Sequence, residues 1–200
     1  MPSSPLPSET PPPATPAVHR PWALTVLWLT PALFLAAVVL YGLLTKPAPQ
    51  RDGPPQVGQP LADFTLGNLR GQPVQLSALR GTVVFLNVWA TWCAPCVDEM
   101  PTIQRLYERL QPRGLQVVTI SLDALGTQVV TPFMHKYQLT FPVLLDPQST
   151  IERLYHTRGV PESFIVDKQG RLVEKVVGPR DWAHPQMLAM FEQLLAAPVR

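Results

Sequence analysis

The chain is poor in the residues that build metal sites: it has two cysteines and four histidines in 200 residues. A structural zinc site takes four ligands, usually as pairs. No second cysteine pair is present, and His19, His135, His156 and His184 are scattered, which argues against zinc. A c-type haem attachment site needs a histidine directly after the second cysteine of C-x-x-C, and position 97 is Val97. Charge is also scarce. Charged residues make up 15% and the formal net charge is +2. No Lys/Arg cluster reads as a nucleic-acid footprint, so no nucleic-acid partner is expected. No internal repeat is evident.

Apolar residues, in contrast, reach 46%, which is high for a soluble protein. The excess is local. WALTVLWLTPALFLAAVVLYGLLT, Trp22 to Thr45, holds no charge in 24 residues. As a helix it is roughly 35 Å long, enough to cross a hydrocarbon core of about 30 Å. Pro31 is tolerable in such a helix, and Trp22, Trp28 and Tyr41 lie towards its ends, where amphipathic rings favour the interface. A cleaved signal peptide has a shorter apolar region followed by a small-x-small site, and no convincing Ala-x-Ala follows here. A buried core helix would show a polar face at helical period. The expectation is an uncleaved transmembrane anchor over 22–45, in contact with the lipid bilayer. Arg20 flanks one end and Lys46 and Arg51 the other, so charge does not fix its orientation.

Residues 1–21 are rich in Pro, Ser and Thr and read as a disordered tail. Residues 46–60 form a second Pro/Gly-rich stretch, a semi-rigid tether. The folded domain is expected over 61–197.

Within it, VVFLNVWA (Val83 to Ala90) reads as a buried strand. Helical spacing follows through Ile103, Leu106, Tyr107 and Leu110, with Pro101 expected to kink the helix or mark a new start. Leu115 to Asp123 reads as strand, Thr127 to Tyr137 as helix despite Pro132, and Phe141 to Asp146 as a short strand. A short helix is expected with its cap at Asp146 or Ser149 and its end at Gly159. SFIVDKQGRLVEKVVG reads as a hairpin turning at Asp167–Gly170. Gln186 to Ala197 reads as an amphipathic helix with Met187, Met190, Phe191, Leu194 and Leu195 on one face. The order implies an α/β fold, a mixed sheet covered by helices.

The two cysteines sit together in Cys93-Ala94-Pro95-Cys96, between the first strand and its helix. A structural disulfide closing so small a loop is worth only roughly 2 kcal/mol. Two buried inert thiols at this spacing would be an odd coincidence. The remaining reading is redox chemistry. A helix N-terminus offers free N–H groups and the positive end of a dipole, both of which favour thiolate. Cys93, at the exposed first position, would attack a substrate disulfide, and Cys96, one turn on, would resolve the mixed disulfide.

VFLNVWATWCAPCVDEMP, with the opening GQPLADFTL and the later YHTRGVPESFIVDKQGRL, resembles the membrane-anchored TlpA/ResA/CcmG group of thioredoxin-like thiol–disulfide oxidoreductases. The resemblance runs from roughly residue 61 to residue 195. It implies a thioredoxin-like fold, a central mixed sheet flanked by helices behind an N-terminal transmembrane helix. It implies catalysis by Cys93 and Cys96, with Glu99 tuning proton transfer near the pair. A glutamate in a helix's first turns, like Asp98 beside it, is also simply good helix chemistry. Pro161 matches the cis-proline that faces the cysteines, although an ordinary proline starting a strand would read the same way. The backbone of Val160 would pair with an extended substrate segment; Trp92, Ala94 and Pro95 complete the expected substrate contacts. Trp92 is expected to shield the thiol and offer a contact surface, and Trp89 to belong to the core. Asn87 stands where cytosolic thioredoxin has a buried aspartate and cannot accept a proton, which leaves Glu99 as the nearest candidate base.

The resemblance further implies a domain outside the cytoplasm, on a single-pass inner-membrane anchor, with exported cysteine-containing proteins as substrates. Apocytochrome c and copper-site assembly proteins are the type. Electrons would come from a membrane donor of the CcdA or DsbD kind. No cofactor beyond the redox-active Cys93–Cys96 disulfide and no metal is implied. Pro95 removes one N–H that would stabilise thiolate, which favours a reductase. An oxidase or isomerase would use the same cysteines at a higher potential. A peroxidase of the peroxiredoxin kind would place its cysteine in a Thr-x-x-Cys setting instead. A copper chaperone would need a third ligand, for which His156 is a poor match.

Overall fold

The computed structural model describes residues 34–40 and 53–198. The expected tail, most of the 22–45 span and the start of the tether lie outside the described residues. Residues 34–40 are helical, with exposed side chains. Among the described residues no helix is long and apolar enough to cross a membrane. The chain divides into two units, Met1–Pro49 and Gln50–Arg200, and the second carries the cysteine pair.

The seven strands of this second unit are β1 (Thr65–Asn68), β2 (Pro73–Gln75), β3 (Val83–Trp89), β4 (Leu115–Ser121), β5 (Val143–Leu145), β6 (Glu162–Val166) and β7 (Leu172–Val177). Its helices are α1 (Ala94–Leu110), α2 (Thr127–Lys136), α3 (Thr150–Tyr155) and α4 (Pro185–Ala196). The strands form one sheet in the order β2-β1-β5-β4-β3-β6-β7. β3, β4 and β5 run parallel, while β6 is antiparallel to β3 and β7 antiparallel to β6. The mixed sheet is as expected. The β1–β2 hairpin, which pairs with the other edge through β5, is an addition to the expected elements.

β3 is central because both its faces are apolar, and every residue in it is buried. Val83, Phe85 and Trp89 join the core beneath α1, α2 and α4. Val84, Leu86 and Val88 join the core beneath α3. Alternation places Asn87 on the α1 face. β6 lies beside β3 with Ser163 directly opposite Asn87.

Of the two expectations for Pro101, a kink or a new start, the new start is corrected: α1 continues as one helix through Pro101. Pro101 is exposed, so the carbonyl of Val97 that it leaves unpaired is within reach of water. Pro132 is likewise exposed within α2. α3 ends at His156, which takes the left-handed conformation (φ 50°), rather than at Gly159. Its N-cap position is Ser149, and the capping carboxylate is that of Asp146, which accepts from the N–H groups of Thr150 and Ile151 at 2.9 and 2.7 Å, so both expected residues take part. On α4 the buried pair is Leu188 and Phe191, with Met187, Met190, Leu194 and Leu195 packed around it.

Candidate redox site

Cys93 is the N-cap of α1, as the strand–cysteine–helix order predicts. Its sulfur accepts the N–H of Cys96 at 3.2 Å, and its carbonyl accepts the N–H of Val97 at 3.1 Å. Pro95 lies between them in the first turn and carries no N–H. The helix end therefore directs one donor, not two, at the first sulfur. The two cysteines are joined as a disulfide. Cys93 was expected to be exposed, but it is only 5% exposed, against 0% for Cys96; the first cysteine is the more accessible of two buried residues. Trp92 is 70% exposed. That exposure fits the expected contact surface. Ala94 and Pro95 are exposed beside it, and Trp89 is fully buried in the core.

The Val160–Pro161 peptide bond is cis. The carbonyl oxygen of Val160 stands 3.5 Å from the Cys93 sulfur, so the structure brings this segment to the cysteines although 67 residues separate them in sequence. The loop is held from behind by Glu162, which is 1% exposed. Its carboxylate accepts the N–H of Arg158 at 3.2 Å and pairs with Lys175 at 3.0 Å.

Glu99 lies one turn beyond Cys96 on the same face of α1. It is 2% exposed and yet has no ion-pair partner among the described residues. Three N–H donors meet its carboxylate. Asn87 Nδ2 reaches Oε1 at 2.7 Å, and the backbone N–H of Arg180 and the indole N–H of Trp182 both reach Oε2 at 3.1 Å. Burial pushes the Glu99 carboxyl above its ordinary pKa, against the downward pull of these three bonds.

A second buried carboxylate anchors the segment that enters the pair. Asp123, 3% exposed, accepts from the N–H and hydroxyl of Thr91 at 2.9 and 2.6 Å, and from the Ser121 hydroxyl at 2.8 Å. It ties the segment entering Cys93 to the end of β4. Asp123, Thr91, Ser163, Glu162 and Trp182 are all absent from the sequence-level expectations. Nothing local marks Trp182 or Ser163; Asp123 follows its strand closely enough to pass as a turn residue.

Among the described residues no group of three or more His, Cys, Asp or Glu side chains is placed to hold a metal ion, so His156 does not join the cysteines in such a group.

The AhpC/TSA family model matches residues 57–175. The thiol-disulfide oxidoreductase ResA of Bacillus cereus is 40% identical over 124 residues, which cover 62% of this chain and 70% of that protein. The chain belongs to the AhpC/TSA family, among its ResA-like, thioredoxin-fold members. Two solved structures agree with this placement of the ResA-like chain. A protein of Chlorobium tepidum, provisionally identified as the thiol:disulfide interchange protein DsbE, superposes with a TM-score of 0.61 at 33% identity, covering 70% of this chain and 96% of that one. StoA of Bacillus subtilis superposes with a TM-score of 0.56 at 27% identity, covering 64% and 96%.

Proposed function

We propose that this chain is a thiol–disulfide oxidoreductase that reduces disulfides of exported proteins through Cys93 and Cys96. The observation that carries the reading is the site's arrangement. A helix-capping sulfur is paired with a second cysteine, faced by the Val160 carbonyl and the cis Pro161, and backed by a buried carboxylate.

The chemistry balances as two exchanges. The Cys93 thiolate attacks one sulfur of the substrate disulfide, the S–S bond breaks, and the other substrate sulfur leaves as thiolate and takes a proton. Cys96 then loses its proton to Glu99, and its thiolate attacks the Cys93 sulfur of the mixed disulfide. The Cys93–Cys96 bond forms and the second substrate thiol is released. Two electrons pass to the substrate and the site is left oxidised. Val160 makes no backbone–backbone hydrogen bond among the described residues, which leaves its peptide groups free to pair with an extended substrate strand across the sulfur. Trp92, Ala94 and Pro95 offer the exposed rim. The disulfide serves as the only redox group, with no cofactor or metal.

The apolar run 22–45 supports a single-pass anchor, with the domain on the oxidising side of the inner membrane. A reductase there needs a membrane electron donor, of the CcdA or DsbD kind. Apocytochrome c and copper-site assembly proteins are the substrate type that the resemblance supports. The test is the reduction potential of the pair in the full-length protein in detergent, by glutathione or dithiothreitol titration. A value near about −270 mV is expected of a reductase. One at about −120 to −180 mV would make the protein an oxidant or isomerase, and a pair that does not cycle would end the redox reading.

A further inference from the structure

Asn87 is fully buried and uses only one end of its amide. Nδ2 donates to Glu99 Oε1 at 2.7 Å and to the Ser163 hydroxyl oxygen at 2.9 Å. Oδ1 has no hydrogen-bond partner among the described residues. A buried acceptor left unpaired is costly, and here it belongs to the one group that touches both the candidate base and the strand leading from Pro161.

The cause lies in the charge state this arrangement fits. Among the described residues every hydrogen bond onto the Glu99 carboxylate comes from an N–H donor, which suits an ionised carboxylate and leaves an O–H without an acceptor. The Arg180 backbone and the Trp182 indole cannot become acceptors. An amide can, by turning half a revolution about its last side-chain bond. Oδ1 then occupies the present place of Nδ2, within reach of both Glu99 and Ser163. It accepts the Glu99 proton on one side and the Ser163 hydroxyl proton, which now meets no acceptor, on the other. Nδ2 moves to the place where Oδ1 is unpaired today, so one unpaired group replaces another while two O–H donors gain a partner. An aspartate at 87 would add a second negative charge beside Glu99 and could not supply the N–H that the ionised form uses.

We infer that Asn87 is a positioning residue whose amide inverts when Glu99 takes up a proton, so that one buried site serves both charge states of the base. This deepens the reading of Glu99 as the proton acceptor of Cys96 and rests on it for its role in turnover. The other groups that face or flank Glu99 are few. On α1 they are the cysteine pair and Asp98. From the segment after β7 come Arg180, whose guanidinium pairs with Glu174, and the exposed Asp181. β3 and β6 present only the uncharged Asn87 and Ser163.

The test is nuclear magnetic resonance on the isotope-labelled, oxidised full-length protein, following Glu99 Cδ and the Asn87 side-chain NH2 from about pH 4 to about pH 9. The expected result is one shared midpoint for both signals. In Glu99→Gln the side-chain amide supplies a fixed N–H donor, and the Asn87 signals should be independent of pH and match the acidic limit of the wild type. A Glu99 carbon that titrates while the Asn87 signals stay fixed would overturn the inference, as would a Glu99 that stays ionised throughout. The wild-type titration decides even if the variant does not fold. Disulfide turnover by Glu99→Gln tests the functional reading separately, and either can fail without the other.

Discussion

Two buried carboxylates serve the segments on either side of the cysteines, Asp123 through Thr91 before them and Glu99 on the helix after them, and the two are built differently. Asp123 is met by groups from the β3–α1 turn and its own strand end, with two hydroxyls and a backbone N–H within hydrogen-bond distance. Those hydroxyls are small and locally anchored, and they fix the chain that enters Cys93. Glu99 is met by an amide from β3, a backbone N–H and an indole from beyond β7, 12, 81 and 83 residues away in sequence. Its carboxyl is held above its ordinary pKa by burial. A carboxylate that serves as a clamp needs firm donors. One that exchanges a proton needs burial enough to make both charge states accessible. The difference teaches that two similarly buried acids can be held by neighbours of quite different range in sequence.

Substitutions can break or sharpen this contrast. The largest effect belongs to the centre both regions serve: Cys93→Ser should abolish disulfide reduction, and Cys96→Ser should trap a mixed disulfide visible on a non-reducing gel. Trp182→Ala should strike only the Glu99 side. Its ring is fully buried 4.5 Å from that of Phe85, and its loss should cost about 3–5 kcal/mol in chemical denaturation. Asp123→Ala should strike only the other side, leaving the Thr91 N–H and hydroxyl unpaired at a cost of about 1–3 kcal/mol.

Glu99→Gln should separate the two acids by pH. Because its folded pKa lies above the ordinary 4.5, Glu99 contributes its full stability below about pH 4.5, and that contribution is lost as pH rises through the raised folded value. The variant should therefore melt higher than wild type at neutral and alkaline pH and show little difference in acid. Turnover should fall in the variant, and the limb of its pH profile that reports Glu99 should vanish. Arg113→Ala, which removes an exposed ion pair with Glu192 far in sequence from both acids, should change stability by less than about 1 kcal/mol.

The chemistry of the first turn was legible because it is local. A buried apolar strand, a cysteine at the helix cap and a proline in the first turn are short-range patterns, and the structure keeps them all. Pro161 was legible only by resemblance, since a proline before a strand looks alike whether its bond is cis or trans. The burial of Cys93 was not legible, because its neighbours include the Val160 carbonyl, 67 residues on. Trp182 was missed for the same reason: its residue type and neighbours in sequence say nothing of Glu99.

By itself the sequence determined the redox pair, the strand and helix that present it, the apolar run at the N-terminus and the alternation of the C-terminal hairpin. Each follows from residue type and spacing, which act over a few residues. Only the tertiary structure decided what holds Glu99 and how its charge is tuned. The register of β3 against β6 sets Asn87 opposite Ser163, and the chain beyond β7 folds back to bring Arg180 and Trp182 onto α1. Hydrogen bonds between such distant residues depend on sheet register and packing, and no local pattern in the chain encodes them.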